Sequence, residues 1–557
     1  MRVRTILCTL FAISALQARE PLHARHGMVV TQEPLAADVG VSVLKAGGNA
    51  VDAAVAIAFA LAVTHPSAGN IGGGGFMLVR LADGRANFLD FRECAPKQAS
   101  RGMYLDAKGK VTKDSIVGWR ASGVPGTVAG LELAHRKYGT RPWSELVQPA
   151  VTFAERGFPV SYSLAKSLGE ETEDLARFPE SKRIFLSAKY GEPFVQPELA
   201  ATLKRIRDSG AADFYTGETA RKLAAEEKSH GGLITLEDLK DYRVVERTPL
   251  RGRYKDYDIL TAPPPSSGGI GILQMLGILE GTGYEKYGAG SAAAIHYVAE
   301  AQRRFYADRS EFMADPDFVK VPVSQLLDPR YIAGRRNTID PNRASTVEDI
   351  RPGPLGPPPP RESSETTHFN VIDAEGDVVA VTYTLNDSYG SGVTVPGLGF
   401  LMNDEMDDFT AKPGQPNLFG LIQGEANAIQ PGKRPLSSMT PAILLRGGKP
   451  FLVLGAPGGS RIINGVLEVI LNVVDFHMNV QDAIDAPRFH HQWIPDALSV
   501  EPAMSPDTID RLRAMGYNVK IFDGSWPTVA RVEAILAENG WLEGGSDGRS
   551  SGKSEGY

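Results

Sequence analysis

An α+β protein is expected from this 557-residue chain, on three observations. Apolar residues recur at helical spacing over 34–63, and the pattern of 120–240 is mostly helical too. A polar, proline-rich stretch from Asp340 to Glu365, including Pro357 to Pro360, suits neither helix nor strand and reads as a linker. Directly after it, residues 366–386 alternate as two strands around a glycine turn. Apolar residues make up 42% and charged residues 22%, so the chain has a core to bury and a disordered protein is excluded. Lys plus Arg number 59 against 66 Asp plus Glu. A net charge of −7 gives no basic excess to hold a phosphate backbone, and no nucleic-acid partner is expected.

The N-terminus reads as an export signal over residues 1–18. Arg2 and Arg4 form a short basic region, Ile6 to Leu16 an apolar one without charge, and Ala18 falls at the cleavage boundary. The apolar run is too short to span a bilayer, which takes about 20 residues. A periplasmic or secreted protein follows. Removing the signal removes Cys8 and leaves Cys94 as the one thiol, so no internal disulfide forms and stability rests on core packing.

Pro34 suits a first helical position, and Leu35, Val39, Val43 and Leu44 share a face. Gly47-Gly48 stops this helix. Asn49 caps a second one, Ala50 to Val63, which is apolar almost all round and reads as a buried core helix. The run Asn70 to Phe76 holds four consecutive glycines before a strand-like Met77 to Arg80. No Lys-Ser or Lys-Thr follows it, so close backbone packing explains it better than a phosphate loop. Charged faces within 120–240 are solvated faces. Pro263 to Gly269 is a rigid turn leading into a helix.

Beyond the linker, Thr366 to Asp373 reads as a strand, Ala374 to Asp377 as a turn and Val378 to Asn386 as a second strand. Alternation puts Thr382, Thr384 and Asn386 on one face, opposite Val381, Tyr383 and Leu385. One face is core; the other is a row of hydroxyls and an amide that need partners. There is no His-Glu-x-x-His, and His490-His491 are adjacent and diverge, so no metal is expected. The match Gly544-Gly545-Ser546-Asp547-Gly548 to a serine-hydrolase elbow lies in what reads as a polar C-terminal tail and is set aside.

A threonine hydroxyl is a weak nucleophile that needs a base, and its own α-amine serves when Thr is first in its chain. That amine titrates near 7.7–8.0, close to the optimum for proton transfer, whereas an amide nitrogen has no such basicity. The uncut chain would therefore be inactive. Spacing does not choose between Thr366 and Thr367.

Glu365-Thr366-Thr367-His368, Val381 to Asn386, Asn403 to Phe409, Lys433 to Met439 and Gly455 to Arg461 strongly resemble the γ-glutamyltranspeptidase (glutathione hydrolase) family. So do Asn70 to Phe76, Phe91 to Pro96, Pro263 to Gly269 and Ala486 to His491. The resemblance implies the N-terminal nucleophile hydrolase fold, an αββα sandwich, with self-cleavage between Glu365 and Thr366. Residues 19–365 would form a large subunit and 366–557 a small one. Thr366 is then the nucleophile, Thr384 its hydroxyl's partner, and Gly458 and Gly459 the oxyanion donors. Arg92, Ser437 and Ser438 would hold the substrate α-carboxylate; Asn386, Glu405 and Asp408 would hold its α-ammonium. A loop from Phe409 to Gly420, with Phe419 at its tip, would close the pocket.

The implied activity is cleavage of the γ-glutamyl amide of glutathione and related compounds through a Thr-bound ester. The group passes to water or to an amino acid or dipeptide acceptor, without metal or organic cofactor. Two rivals stand beside this: a β-lactam side-chain acylase or poly-γ-glutamate-cleaving relative, and an unprocessed, non-catalytic binding protein.

Overall fold

The computed structural model describes residues 19–353, 365–412, 425–522 and 529–557. The signal segment, residues 354–364 of the proline-rich linker and the greater part of the pocket-closing loop, with Phe419, lie outside the described residues.

Two seven-stranded sheets form the centre. In one, the strands Glu365–Ile372 and Val378–Asn386 pair antiparallel, flanked by Met28–Thr31 on one side and Gly74–Arg80 on the other. The other is built around Ala442–Arg446, Lys449–Gly455 and Glu533–Glu538. The expected hairpin is therefore the middle of a sheet. Its faces sort by alternation. Met28, Val30, Phe76, Leu78, Val378 and Ala380 pack toward the second sheet, in one core with Ile443, Leu452 and Leu454. Val29, Met77, Val79, Val379 and Val381 turn the other way, toward the helices Pro34–Lys45 and Ala50–Thr64. Helices Gly268–Leu279, Ala292–Phe312 and Arg461–Val474 cover the second sheet. Helix, sheet, sheet, helix: the layering is the αββα sandwich expected.

The core helix Ala50–Thr64 has every residue buried, Asp52 included. Asp52 closes a capping box with Asn49, worth about 1 kcal/mol, and its carboxylate also accepts from the Thr140 hydroxyl at 2.6 Å. Behind the glycine run lies the close approach the sequence suggested. A Cβ on Gly73 would stand 2.0 Å from the Thr384 carbonyl oxygen, and one on Gly75 2.4 Å from that of Thr382.

The C-terminus departs from the expected polar tail. Trp541–Gly545 pairs with Glu533–Glu538, and Lys553–Gly556 forms an edge of the first sheet against Met28–Thr31. Its polar residues are consumed internally: buried Asp547 pairs with Arg488 and holds Arg549 at 3.1 Å.

Candidate active site

Thr366 is the second residue of the central strand and is 5% exposed. Glu365 pairs with Asn386 and Thr367 with Tyr383, so a bulge falls at Thr366, across from Thr384 and Leu385. The row of hydroxyls and amides is buried between the sheets. There His368 Nδ1 meets Thr382 Oγ1 at 2.8 Å and His368 Nε2 meets Asn370 Oδ1 at 2.9 Å. Burial pushes this imidazole down to about 3, so it is neutral. Thr384 Oγ1 accepts from the Asn386 N–H at 2.8 Å. Asn386 ends its strand at φ 86°, a left-handed conformation that Asn tolerates better than most residues. Its amide donates to the carbonyl and to Oδ2 of Asp404, each at 3.0 Å. The turn Glu405–Asp408 is thereby fastened to the strand beside Thr366.

The strand Lys449–Gly455 reaches the same place from the second sheet: a Cβ on Gly455 would touch His368 Cε1 at 2.3 Å. Gly458 and Gly459 follow at φ 131° and 57°, values that favour glycine. Their carbonyls accept from Arg461 and Ile462, turning the chain into the helix Arg461–Val474. Backbone N–H groups at the positive end of a 14-residue helix suit a developing oxyanion.

Arg92 is 1% exposed. Its guanidinium pairs with Glu405 and Asp408, lies 3.9 Å from Glu93, and donates to the Leu436 carbonyl at 3.2 Å. Desolvation alone would lower its pKa, but Glu405 and Asp408 outweigh that and raise it. Three acids thus surround one buried base. Burial pushes Glu93 up to about 7 and Glu405 well above the usual carboxylate range, each against the pull of Arg92.

Ser437 and Ser438 lie on a loop laid against the Pro263–Gly269 turn. The Ser437 N–H donates to the Pro265 carbonyl at 2.9 Å, and the Ser437 carbonyl accepts from the Ser267 N–H at 2.7 Å and the Ser267 hydroxyl at 2.9 Å. Ser437 Oγ accepts from the Met439 N–H at 3.1 Å, and Ser438 Oγ from Arg309 Nη2 at 3.3 Å. Asn427 stitches this loop to the acidic turn, donating to the Asp408 carbonyl at 2.6 Å and accepting from the Leu436 N–H at 3.0 Å.

The ten residues expected at the site thus arrive on five pieces: the hairpin, the turn Glu405–Asp408, the serine loop, the glycine loop and, for Arg92, the segment after the strand Ala86–Asp90. Sequence reasoning passed over Glu93, Asn427, Arg309 and Tyr306. Glu93 lies inside the motif Phe91 to Pro96. For Arg309 the available signal was a helix, Ala292–Phe312, whose charged residues fall at positions that helical spacing buries.

A family model described as Gamma-glutamyltranspeptidase matches residues 36–557. The glutathione hydrolase proenzyme of Escherichia coli (strain K12) is 49% identical over 538 residues, 95% of this chain and 91% of that protein. Among solved structures, a cephalosporin acylase from Bacillus halodurans superposes with a TM-score of 0.86 at 28% identity, covering 99% of each chain. A Helicobacter pylori gamma-glutamyltranspeptidase chain, 43% identical with a TM-score of 0.58, is covered over 99% of its length by 62% of this one. With the sandwich fold and the family's motifs gathered at one site, the chain belongs to the gamma-glutamyltranspeptidase family.

Proposed function

We propose that the protein cuts itself between Glu365 and Thr366 and then, through Thr366, takes the γ-glutamyl group from glutathione and related compounds. The observation that carries this reading is the enclosed Arg92–Glu405–Asp408 cluster fastened, through Asn386 and Asp404, beside the bulge at Thr366. An amino acid end brings one carboxylate and one ammonium into that cluster. The carboxylate takes the Arg92 fork and the Ser437 and Ser438 hydroxyls; the ammonium takes Glu405, Asp408 and Asn386. The incoming carboxylate and ammonium each meet an opposite charge that is already buried, so neither end of the substrate is left unpaired.

Thr366 Oγ attacks the γ-carbonyl and its α-amine accepts the hydroxyl proton. The Gly458 and Gly459 N–H groups receive the oxyanion, each such donor typically worth about 3–4 kcal/mol of barrier. The C–N bond breaks as the leaving amine takes the proton back, and a γ-glutamyl ester remains on Thr366. Water releases glutamate; an amino acid or dipeptide amine gives transfer instead.

The Helicobacter pylori chain supports the two-subunit form, since the 62% of this chain that matches it is the share residues 19–365 occupy. Among the described residues no helix is long and apolar enough to cross a membrane, and the export signal is the basis for placing the protein in the periplasm or outside the cell. The rival acylase reading draws on the Bacillus halodurans likeness. Incubating purified protein with glutathione, with and without glycylglycine, separates the two. Release of glutamate, and its diversion to γ-glutamyl-glycylglycine, is expected. Silence on glutathione with hydrolysis of a glutaryl β-lactam would favour the acylase.

A further inference from the structure

Tyr306 and Arg309 stand three residues apart on the helix Ala292–Phe312, a spacing that puts both on one face. Both are 2% exposed. The Tyr306 hydroxyl donates to the carbonyl of Ser460, the residue after the glycine pair. Arg309 donates through Nε to the Ser267 hydroxyl at 2.9 Å and through Nη2 to the Ser438 hydroxyl at 3.3 Å. One face of one helix therefore touches both loops that would contact substrate. The helix is itself tied to the segment that follows it, with Arg304 donating to the Thr338 carbonyl at 2.7 Å.

The hydroxyl chemistry gives this contact a direction. A serine oxygen has one hydrogen to donate. Arg309 can only donate, so Ser438 Oγ must accept from it and commit its own hydrogen elsewhere; the Met439 N–H imposes the same on Ser437 Oγ. Both hydroxyls are thus oriented by donors from the protein. Ser267, held by Arg309, grips the Ser437 carbonyl from behind.

We infer that Arg309 is a positioning residue for the substrate α-carboxylate, acting through Ser438 and Ser267, and that Tyr306 positions the oxyanion loop from the same helix. The inference rests on the substrate orientation proposed above.

The test uses protein verified as two chains and two anilides: the γ-glutamyl anilide, and the 4-aminobutyryl anilide, which lacks only the α-carboxylate. Arg309→Met should raise KM for the γ-glutamyl anilide about tenfold to a hundredfold, the range for losing a charged hydrogen bond. Its kcat should stay within about threefold of the parent, an order-of-magnitude bound. Arg309→Lys should recover part of the loss, and kcat/KM for the 4-aminobutyryl anilide should match the parent. Tyr306→Phe should show the opposite split, with lower kcat and little change in KM. Equal loss on both anilides, or an unchanged KM, overturns the role of Arg309. If Arg309→Met does not mature, Ser267→Ala carries the same comparison, and the same two results overturn it. Arg92→Lys is the control. Should it fail to distinguish the anilides, the substrate orientation is at fault; should it distinguish them while Arg309→Met does not, only the present inference falls.

Discussion

Thr367 donates its hydroxyl to Gln32 Oε1 at 3.1 Å. Both residues are almost wholly buried, so this hydroxyl is committed to holding the strand Met28–Thr31 against the central hairpin. Of two adjacent threonines that spacing cannot separate, one has a structural task. The other lies at the bulge near the start of the strand, opposite Thr384.

Thr366→Ala should therefore leave a single full-length band on a denaturing gel, with no glutathione hydrolysis. Thr367→Val should still give two, at a stability cost of about 1–2 kcal/mol for the orphaned Gln32 oxygen. The small chain of the parent should begin Thr-Thr-His-Phe. A start elsewhere, or cleavage persisting in Thr366→Ala, would discard Thr366 as the nucleophile.

Arg92→Lys keeps the charge and loses the planar fork that now spans Glu405 and Asp408. A large rise in KM for γ-glutamyl substrates is expected, with maturation intact because the pocket takes no part in the cut. Steady-state kinetics on the two-chain protein decide it; parental KM would refute the proposed orientation.

Bulk at the glycine pair should act on turnover. Gly459 sits at φ 57°, where a β-branched side chain is strained. Gly459→Val should lower kcat about a hundredfold or more, the usual loss for one oxyanion donor. A competitive γ-glutamyl inhibitor should bind the matured variant nearly as well as the parent. Unchanged kcat would move the oxyanion site elsewhere.

A fourth prediction concerns pH and lies away from the site. Burial pushes Glu227 up to about 8 from an ordinary value of 4.5. The folded protein therefore binds a proton that the unfolded chain gives up above pH 4.5. This contribution is fully present below pH 4.5 and is lost as pH rises through about 8. Glu227→Gln cannot ionise. Urea melts across this window should show the variant gaining on the parent as pH rises, by on the order of 3 kcal/mol at pH 8. Parallel pH profiles would mean that Glu227 is not held protonated.

Features with a local period or a local cap were legible in the sequence. Asn49 and Pro34 marked their helices, and the alternation after Thr366 marked the hairpin. The glycine run announced a close approach without naming what approached, because the Leu401 and Thr384 carbonyls against Gly72 and Gly73 come from some 300 residues away. The family's motifs named ten site residues; the groups behind them were not legible. Arg309 reaches Ser438 across 129 positions and Asn70 reaches Thr384 across 314, and no spacing rule connects them. The C-terminus misled for the opposite reason. Its polar composition looked solvent-bound, yet Asp547 is satisfied by a buried arginine.

The sheet order gives the proposed cut a further meaning. In one sheet the hairpin 365–386 runs between strands 28–31 and 74–80; in the other, strands 442–455 and 533–545 lie between 22–24 and 250–261. Severing residue 365 from 366 would yield two polypeptides woven through each other twice. Neither could leave without tearing both sheets, so dissociation would be inseparable from unfolding. They would persist through dilution and melt as one unit. Once melted, the halves would have to find each other by diffusion, and the lifetime of the matured protein would be set by how slowly it opens rather than by how well it refolds.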